Sequence, residues 1–290
     1  MPKPYSLTPI LTFSAKTRCL SVLVFFAFCA GLFSQNQEEQ EKQDRLLVLK
    51  PKSYAEIDKV LRPIRRDTSK LREFLKKAEA NNYDEARAYA LNNLGTVYRN
   101  FSEFKKSIRL HEKALKISDE IDNDEFKVFS LNMSGVVYRR SDAVKTALDY
   151  NQEALELAES VKNPSIHIQR HINISLNCIG NLYQTLGQYD LAISQFQRAL
   201  ENEKALNNKL GLAINNQNIG DCHEQKGELE KAMGYYRKSL SLNEEINNNY
   251  GQIICENGIS QIYLKQDQPE KALTLLQKIV QPATKIGDNF

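Results

Sequence analysis

The sequence predicts an all-α solenoid, a stack of helix-turn-helix units. Three observations carry that expectation: a helical pattern that recurs about every 40 residues, small residues held in phase within it, and no strand-like alternation anywhere in the chain. The pattern is anchored at Leu94-Gly95-x-x-Tyr98, Gly135-x-x-Tyr138, Ile179-Gly180-x-x-Tyr183, Ile219-Gly220-x-x-His223 and Ile259-Ser260-x-x-Tyr263, with spacings of 40, 45, 40 and 40 residues. Twelve residues past each anchor glycine or serine stand Ser107, Ala147, Ala192, Ala232 and Ala272, and nineteen past it stand Ala114, Ala154, Ala199, Ser239 and Ile279. Between these columns falls a larger side chain, at His111, Asn151, Phe196, Tyr236 and Leu276, and an aliphatic residue closes each unit at Ile121, Val161, Leu206, Ile246 and Ile286. Glycine inside a helix costs about 1 kcal/mol relative to alanine. Its recurrence at Gly95, Gly135, Gly180 and Gly220 therefore marks a place where two helices approach too closely for a side chain. A pair with such a small-residue ridge cannot bury its own apolar face, so neighbouring units must cover it.

The elements follow in order. Residues 1–34 carry Lys3, Lys16 and Arg18 ahead of an apolar run from Leu20 through Phe33, the layout of a secretory signal peptide, with cleavage expected after Ser34. The run is short of the ~20 apolar residues a spanning helix needs, so an uncleaved anchor is the alternative. Residues 35–52 read as a polar linker. In residues 53–82, Ser53-x-x-Glu56 has the form of a capping box, Pro63 stops that helix, and a second runs from about Ser69 to Ala80. The pair lacks the anchor columns and reads as an N-terminal cap or degenerate repeat. Five repeats follow, at 83–124, 125–164, 165–208, 209–249 and 250–290, joined at Asn-rich turns such as Asn81-Asn82, Asn207-Asn208 and Asn247-Asn248-Asn249. Asparagine tolerates the left-handed conformation that ends a helix. The last repeat leaves Leu275, Leu276, Ile279 and Val280 without a cover, which suggests a homodimer through that face or a chain that continues.

Leu/Ile-Gly-x-x-Tyr followed by Ala, an aromatic residue and Ala at these offsets resembles the tetratricopeptide-repeat family. Ile179 to Tyr183 with Ala192, Phe196 and Ala199 fits it almost completely, while the first-helix Trp and the closing Pro of the family are missing. The unit also exceeds the family's usual ~34 residues, in which it is similar to kinesin light chain and the Leu-Gly-Asn cell-polarity adaptors. The resemblance covers residues 83–290 and implies a right-handed superhelix whose first helices line a concave groove. With the leader, the chain is similar to bacterial envelope proteins of this family.

Charge excludes one class of partner. The chain has 39 basic and 36 acidic residues, and the leader holds three basic and no acidic ones, so the remainder is neutral, without the clustered positive footprint of a nucleic-acid binder. Cys19 and Cys29 fall in the leader. Cys178, Cys222 and Cys255, spaced by 44 and 33 residues, match no metal-ligand pattern and are expected as buried free thiols. His167 and His171 are spaced as two ligands on one helix face, but Ile-Gln-Arg lies between them and supplies no general base, so no metal or other cofactor is expected. No nucleotide-binding loop or nucleophile elbow occurs, and no enzymatic activity is expected.

One constellation points to binding. Three residues before the anchors stand Asn92, Asn132, Asn177, Gln217 and Asn257; one further on are Asn93 and Asn218, and just after the anchors come Asn181 and Gln261. A side-chain amide both donates and accepts, so a row of amides can satisfy the backbone of a bound strand whatever its side chains. The family resemblance implies that these positions face the groove, with a protein or peptide as the partner. The alternative is that the amides cross-link neighbouring helices. Arg99, Arg139 and Arg140 would add selection for an acidic ligand at one end. The expected function is an exported scaffold binding an extended peptide or a partner helix; the alternative is the sensor region of an envelope receptor with a kinase or DNA-binding output.

Overall fold

The computed structural model describes residues 37–286, with side chains through residue 280; the leader read at residues 1–34 lies outside the described residues. All the regular structure among the described residues is helical. Helix α1 spans 37–49, α2 Tyr54–Leu61 and α3 Thr68–Ala80. Five pairs follow: α4 Asp84–Asn100 with α5 Phe104–Glu120, α6 Asp124–Arg140 with α7 Val144–Ser160, α8 Ile166–Thr185 with α9 Tyr189–Ala205, α10 Lys209–Gln225 with α11 Leu229–Glu245, and α12 Asn249–Lys265 with α13 Pro269–Ile286. Each helix packs on the next, and the first helices of successive pairs also touch one another, α4 on α6, α6 on α8, α8 on α10 and α10 on α12. That contact puts the first helices on the inner, concave side of the solenoid.

Side-chain volume explains the pairing. A methyl group at Gly95 would lie 2.6 Å from the His111 ring and one at Gly180 2.5 Å from Phe196, so the large residue of each second helix presses on bare backbone of the first. Phe196 and His111 are fully buried as a result. The joints are as regular as the helices. Asn82, Asp122, Asn163, Asn207 and Asn247, between repeats, have φ between 50° and 57°. Ser102, Asp142, Gly187, Gly227 and Asp267 turn the chain within repeats at φ between 59° and 76°. Asn, Asp and Gly enter this left-handed region at least cost.

The N-terminal segment departs from the sequence reading in two ways. The tract read as a polar linker is helical over residues 37–49. Its Glu, Gln, Lys and Leu residues are good helix formers, Glu38 pairs with Lys42 at 2.6 Å, Glu39 reaches Lys70 on α3 at 3.0 Å, and Leu46 and Leu47 are buried. Ser53 does precede α2, but its side chain makes no cap bond; Glu125 of α6 instead accepts from the Tyr54 backbone N–H at 3.2 Å. Helices α2 and α3 share one buried cluster with α4, through Ile57, Leu61, Leu71 and Phe74. Helix α3, capped by Asp67, stacks on α4, while α2 lies against the first helices of the repeats. The Tyr54 ring meets Tyr89 of α4 at 5.4 Å, Phe129 of α6 at 5.1 Å and His167 of α8 at 4.9 Å. Asp58, itself buried, accepts from the Tyr89 hydroxyl at 2.8 Å. Apolar Ile57 and Leu61, both fully buried, hold α2 there.

Candidate functional site

The amide column divides into two groups. Asn92 and Asn132 are fully buried and do not line the groove, a correction to the expectation that they hold a ligand. Asn92 donates to Ser130 Oγ on α6 at 2.8 Å and accepts from His111 Nδ1 at 2.9 Å. Asn132 donates to the His171 carbonyl on α8 at 3.1 Å and accepts from Ser175 Oγ at 2.8 Å. Both amides thus staple one repeat to the next. Asn93 is also closed off, its amide donating to the Tyr89 carbonyl at 2.9 Å. Burial drives the pKa of both histidines in this seam, His111 and His171, down to about 3, so they are neutral packing residues. His167, the other half of the histidine pair, meets the Tyr54 ring in a tilted contact at 4.9 Å.

The second group is open. A cavity of about 470 Å³ lies between α8 and α10, and Asn177, Asn181 and Asn218 of the expected ladder line it. Asn173, Asn208 and Asn215, which the ladder did not include, border it too, Asn173 and Asn215 from buried positions. Asn173, Asn177 and Asn181 are one helical turn apart on α8 and form a continuous row. Asn177 donates to the Asn173 carbonyl at 2.8 Å and accepts from Asn218 at 3.4 Å, while the Asn181 side-chain amide has no protein partner. Ile174, Leu210 and Ile214 supply the apolar floor, and Arg170 and Glu203 the charged rim. Burial raises the Glu203 pKa against the bond it accepts from Asn208 at 2.8 Å. Gln217, Asn257 and Gln261 stay at the surface outside this cavity, Gln217 beside Asp221.

An apolar column explains why the groove opens here. Six residues before each anchor stand Tyr89, Phe129, Ile174, Ile214 and Ile254. Tyr54 and the rest of α2 cover the first of these, leaving Tyr89 at 0% and Phe129 at 7% exposure, whereas Ile214 is 45% exposed. The protein's own helix therefore fills the first half of the concave face and the second half is bare. A larger hollow of about 610 Å³ lies outside, between α9 and α11, but the long side chains of Lys204, Arg237 and Lys238 ring it and no row of amides enters it.

The tetratricopeptide-repeat profile matches residues 86–160, 171–245 and 212–281, most of the described solenoid. The chain is a tetratricopeptide-repeat protein. No curated relative matches it in sequence. Among solved structures it is similar to BtubC (BKLC) from P. vanneervenii, at 12% identity and TM-score 0.63, covering 81% of this chain and 93% of that one. A Rap protein complexed with competence and sporulation factor matches at 17% identity and TM-score 0.60, over 87% of this chain and 78% of that one. The Rap conjugation gene regulator of plasmid pLS20, in complex with the Phr* peptide, matches at 20% identity and TM-score 0.59; here 73% of this chain covers 57% of the other. At these identities the likeness is one of fold.

Beyond the amides, three arginines stand at the C-terminal ends of α4 and α6. Arg99 on α4 and Arg139 on α6 are half-buried, and Arg140 is exposed. Cys178, which lines the cavity, feels the charge of both Arg99 and Arg139, but burial dominates and pushes its thiol up to about 11. Cys178, Cys222 and Cys255 are all free and buried. Among the described residues no helix is long and apolar enough to cross a membrane.

Proposed function

We propose that this tetratricopeptide-repeat protein is a non-catalytic scaffold that holds an extended peptide in the open half of its concave groove, along α8, α10 and α12. The observation that carries the reading is the cavity between α8 and α10, which six asparagines line together with an apolar floor. Amides offer paired donors and acceptors to a peptide backbone, and Ile174, Leu210 and Ile214 offer a slot for its apolar side chains. Pockets of this make-up, apolar with a few placed polar groups, are the usual form of a ligand site. The complex of the Rap regulator with the Phr* peptide is consistent with a fold of this kind carrying a peptide. Export through a cleaved leader is part of the same proposal, and an intact mass matching residues 35–290 in protein recovered from cells would support it.

The binding test is panning of a random-peptide display library on the full chain and on the variant Asn181→Ala/Asn218→Ala. Peptides are expected to be captured by the parent and lost from the variant at unchanged helicity. Equal capture by both would sink the assignment.

A further inference from the structure

Three buried polar side chains, Glu203, Asn173 and Asn215, border the cavity between α8 and α10. Glu203, on α9, is 6% exposed. Twenty-three residues past the anchors of the first, second and fourth repeats the same place is held by Ser118, Ala158 and Asn243, all buried and all uncharged. Asn243 shows what the fold needs there. Its amide oxygen accepts from Asn248 at 2.7 Å, as the Glu203 carboxylate accepts from Asn208 at 2.8 Å. Gly251 and Gly211 make the room, since a methyl group on either would strike the Asn243 or the Glu203 side chain. The joint therefore works with a neutral amide, and the negative charge of Glu203 is an addition to it. Among the described residues Glu203 forms no ion pair; Arg170, whose charge it feels, is exposed. Buried carboxylates are costly and are ordinarily paired.

Asn173 repeats the pattern. Seven residues before the anchors the other repeats carry Ala88, Val128, Ala213 and Ile253, all buried, so an amide is foreign to this core position. Neither polar atom of Asn173 has a hydrogen-bond partner, although its NH2 stands near enough to Glu203 to favour the ionised carboxyl. Asn215, fully buried, donates to the Gly211 carbonyl at 2.9 Å and keeps a bare Oδ1. Unpaired buried polar atoms are rare in folded proteins. Those gathered here are mainly acceptors, two amide oxygens and a carboxylate, and the group that matches them is a cation that only donates.

Resting on the peptide-groove reading, we propose that Glu203, Asn173 and Asn215 form a subsite for a positively charged nitrogen group of the bound peptide, a Lys or Arg side chain or its free N-terminus. An ammonium brings three donors and a guanidinium five, neither with an acceptor. The Glu203 carboxylate supplies the counter-charge and the two amide oxygens take the remaining donors. Ile174 and Ile214, on the same cavity, pack against the carbons that carry the charge. Asn177, Asn181 and Asn218 lie on the same cavity and hold the adjoining backbone.

The test pans random-peptide libraries, presented with free and with acetylated N-termini, on the full chain and on three variants: Glu203→Gln, Asn173→Ala and Asn181→Ala/Asn218→Ala. The parent is expected to enrich Lys or Arg, or to need a free N-terminus. A selected peptide remade with a neutral residue at the basic position, or acetylated, is expected to bind about tenfold more weakly, the loss of one charge-assisted pair. Glu203→Gln keeps an acceptor for Asn208 and should capture the neutral peptide as the parent does while losing the preference. Asn173→Ala installs the residue that two other repeats carry at this place. It should weaken the basic peptide at an unchanged or higher melting temperature, because the amide it removes bonds to nothing in the protein. A clear fall in melting temperature would make Asn173 structural and overturn the subsite. Binders without a basic preference, or a preference that survives Glu203→Gln, also overturn it and leave the groove reading intact. No binders at all, or binders indifferent to Asn181 and Asn218, overturn both.

Discussion

Replacing Asn132 by alanine separates a structural amide from a binding one. Asn132 is fully buried between α6 and α8, where it donates to the His171 carbonyl at 3.1 Å, approaches the His171 ring nitrogen at 3.3 Å and accepts from Ser175 at 2.8 Å. Ser175 keeps a second acceptor, the His171 carbonyl at 3.1 Å, so its hydroxyl survives the change. The His171 ring nitrogen does not, and one buried polar group left unsatisfied costs about 1–3 kcal/mol. Taking about 2 kcal/mol, and about 2–4 °C per kcal/mol for a chain of this size, the melting temperature should fall by about 4–8 °C. Asn181→Ala removes an amide with no protein partner and should change stability by less than about 0.5 kcal/mol while abolishing peptide capture. The assays are thermal melts by circular dichroism and peptide capture on the same samples. Because repeat arrays can unfold in parts, hydrogen exchange of α6 and α8 should show the Asn132→Ala loss at that seam. If Asn132→Ala melted like the parent and lost ligand, or Asn181→Ala proved the more destabilising, the division of the column would be wrong.

Two further outcomes follow from the packing. Burial lowers His111 and His171 from 6.5 to about 3, so between those values the unfolded chain binds protons that the folded chain refuses. Stability is therefore complete above pH 6.5 and falls on acidification, by up to about 1.4 kcal/mol per pH unit for each histidine; melts from about pH 7 to 5 should show the decline, and His111→Gln/His171→Gln should flatten it. Glycine substitutions should split by sign: Gly180→Ala puts a methyl 2.5 Å from Phe196 and should cost about 1–3 kcal/mol. Gly234→Ala, in α11 with nothing within 4 Å, should stabilise by about 0.5–1 kcal/mol; denaturant midpoints of the two variants check both signs.

The solenoid was legible because its determinants repeat. Gly95 and His111, or Gly180 and Phe196, are separated by 16 residues in the chain and meet in the fold, so spacing alone exposes the contact. The left-handed joints at Asn82, Asn207 and Asn247 were legible for the same reason, since one residue type suits one backbone conformation. The position of α2 was not, because nothing local in Tyr54 says that its ring will rest on Tyr89, Phe129 and His167. A helix that does not repeat carries no phase to read. Helix α1 escaped for a different reason: its polar composition suits an exposed helix as well as a linker, and only the burial of Leu46 and Leu47 distinguishes them.

The two fates of the amide column come from a neighbouring column, which makes the site readable after all. Five residues before the anchors stand Ser130, Ser175, Asn215 and Cys255 in the second to fifth repeats. Where that residue is serine, its hydroxyl meets the amide of the preceding repeat, Asn92 in one case and Asn132 in the other, and the amide is drawn inside. Asn215 instead donates to the Gly211 carbonyl of its own helix at 2.9 Å, and Cys255 donates to Ser239 at 3.1 Å. Neither reaches back, so Asn177 turns to Asn218 across the cavity and both stay within reach of a ligand. The switch from serine to another residue falls at the same boundary where α2 ends its cover of the apolar column. The first two seams are locked by buried hydrogen bonds and overlaid by α2, which makes them the rigid part of the solenoid and the base against which the open amides of α8 and α10 are held.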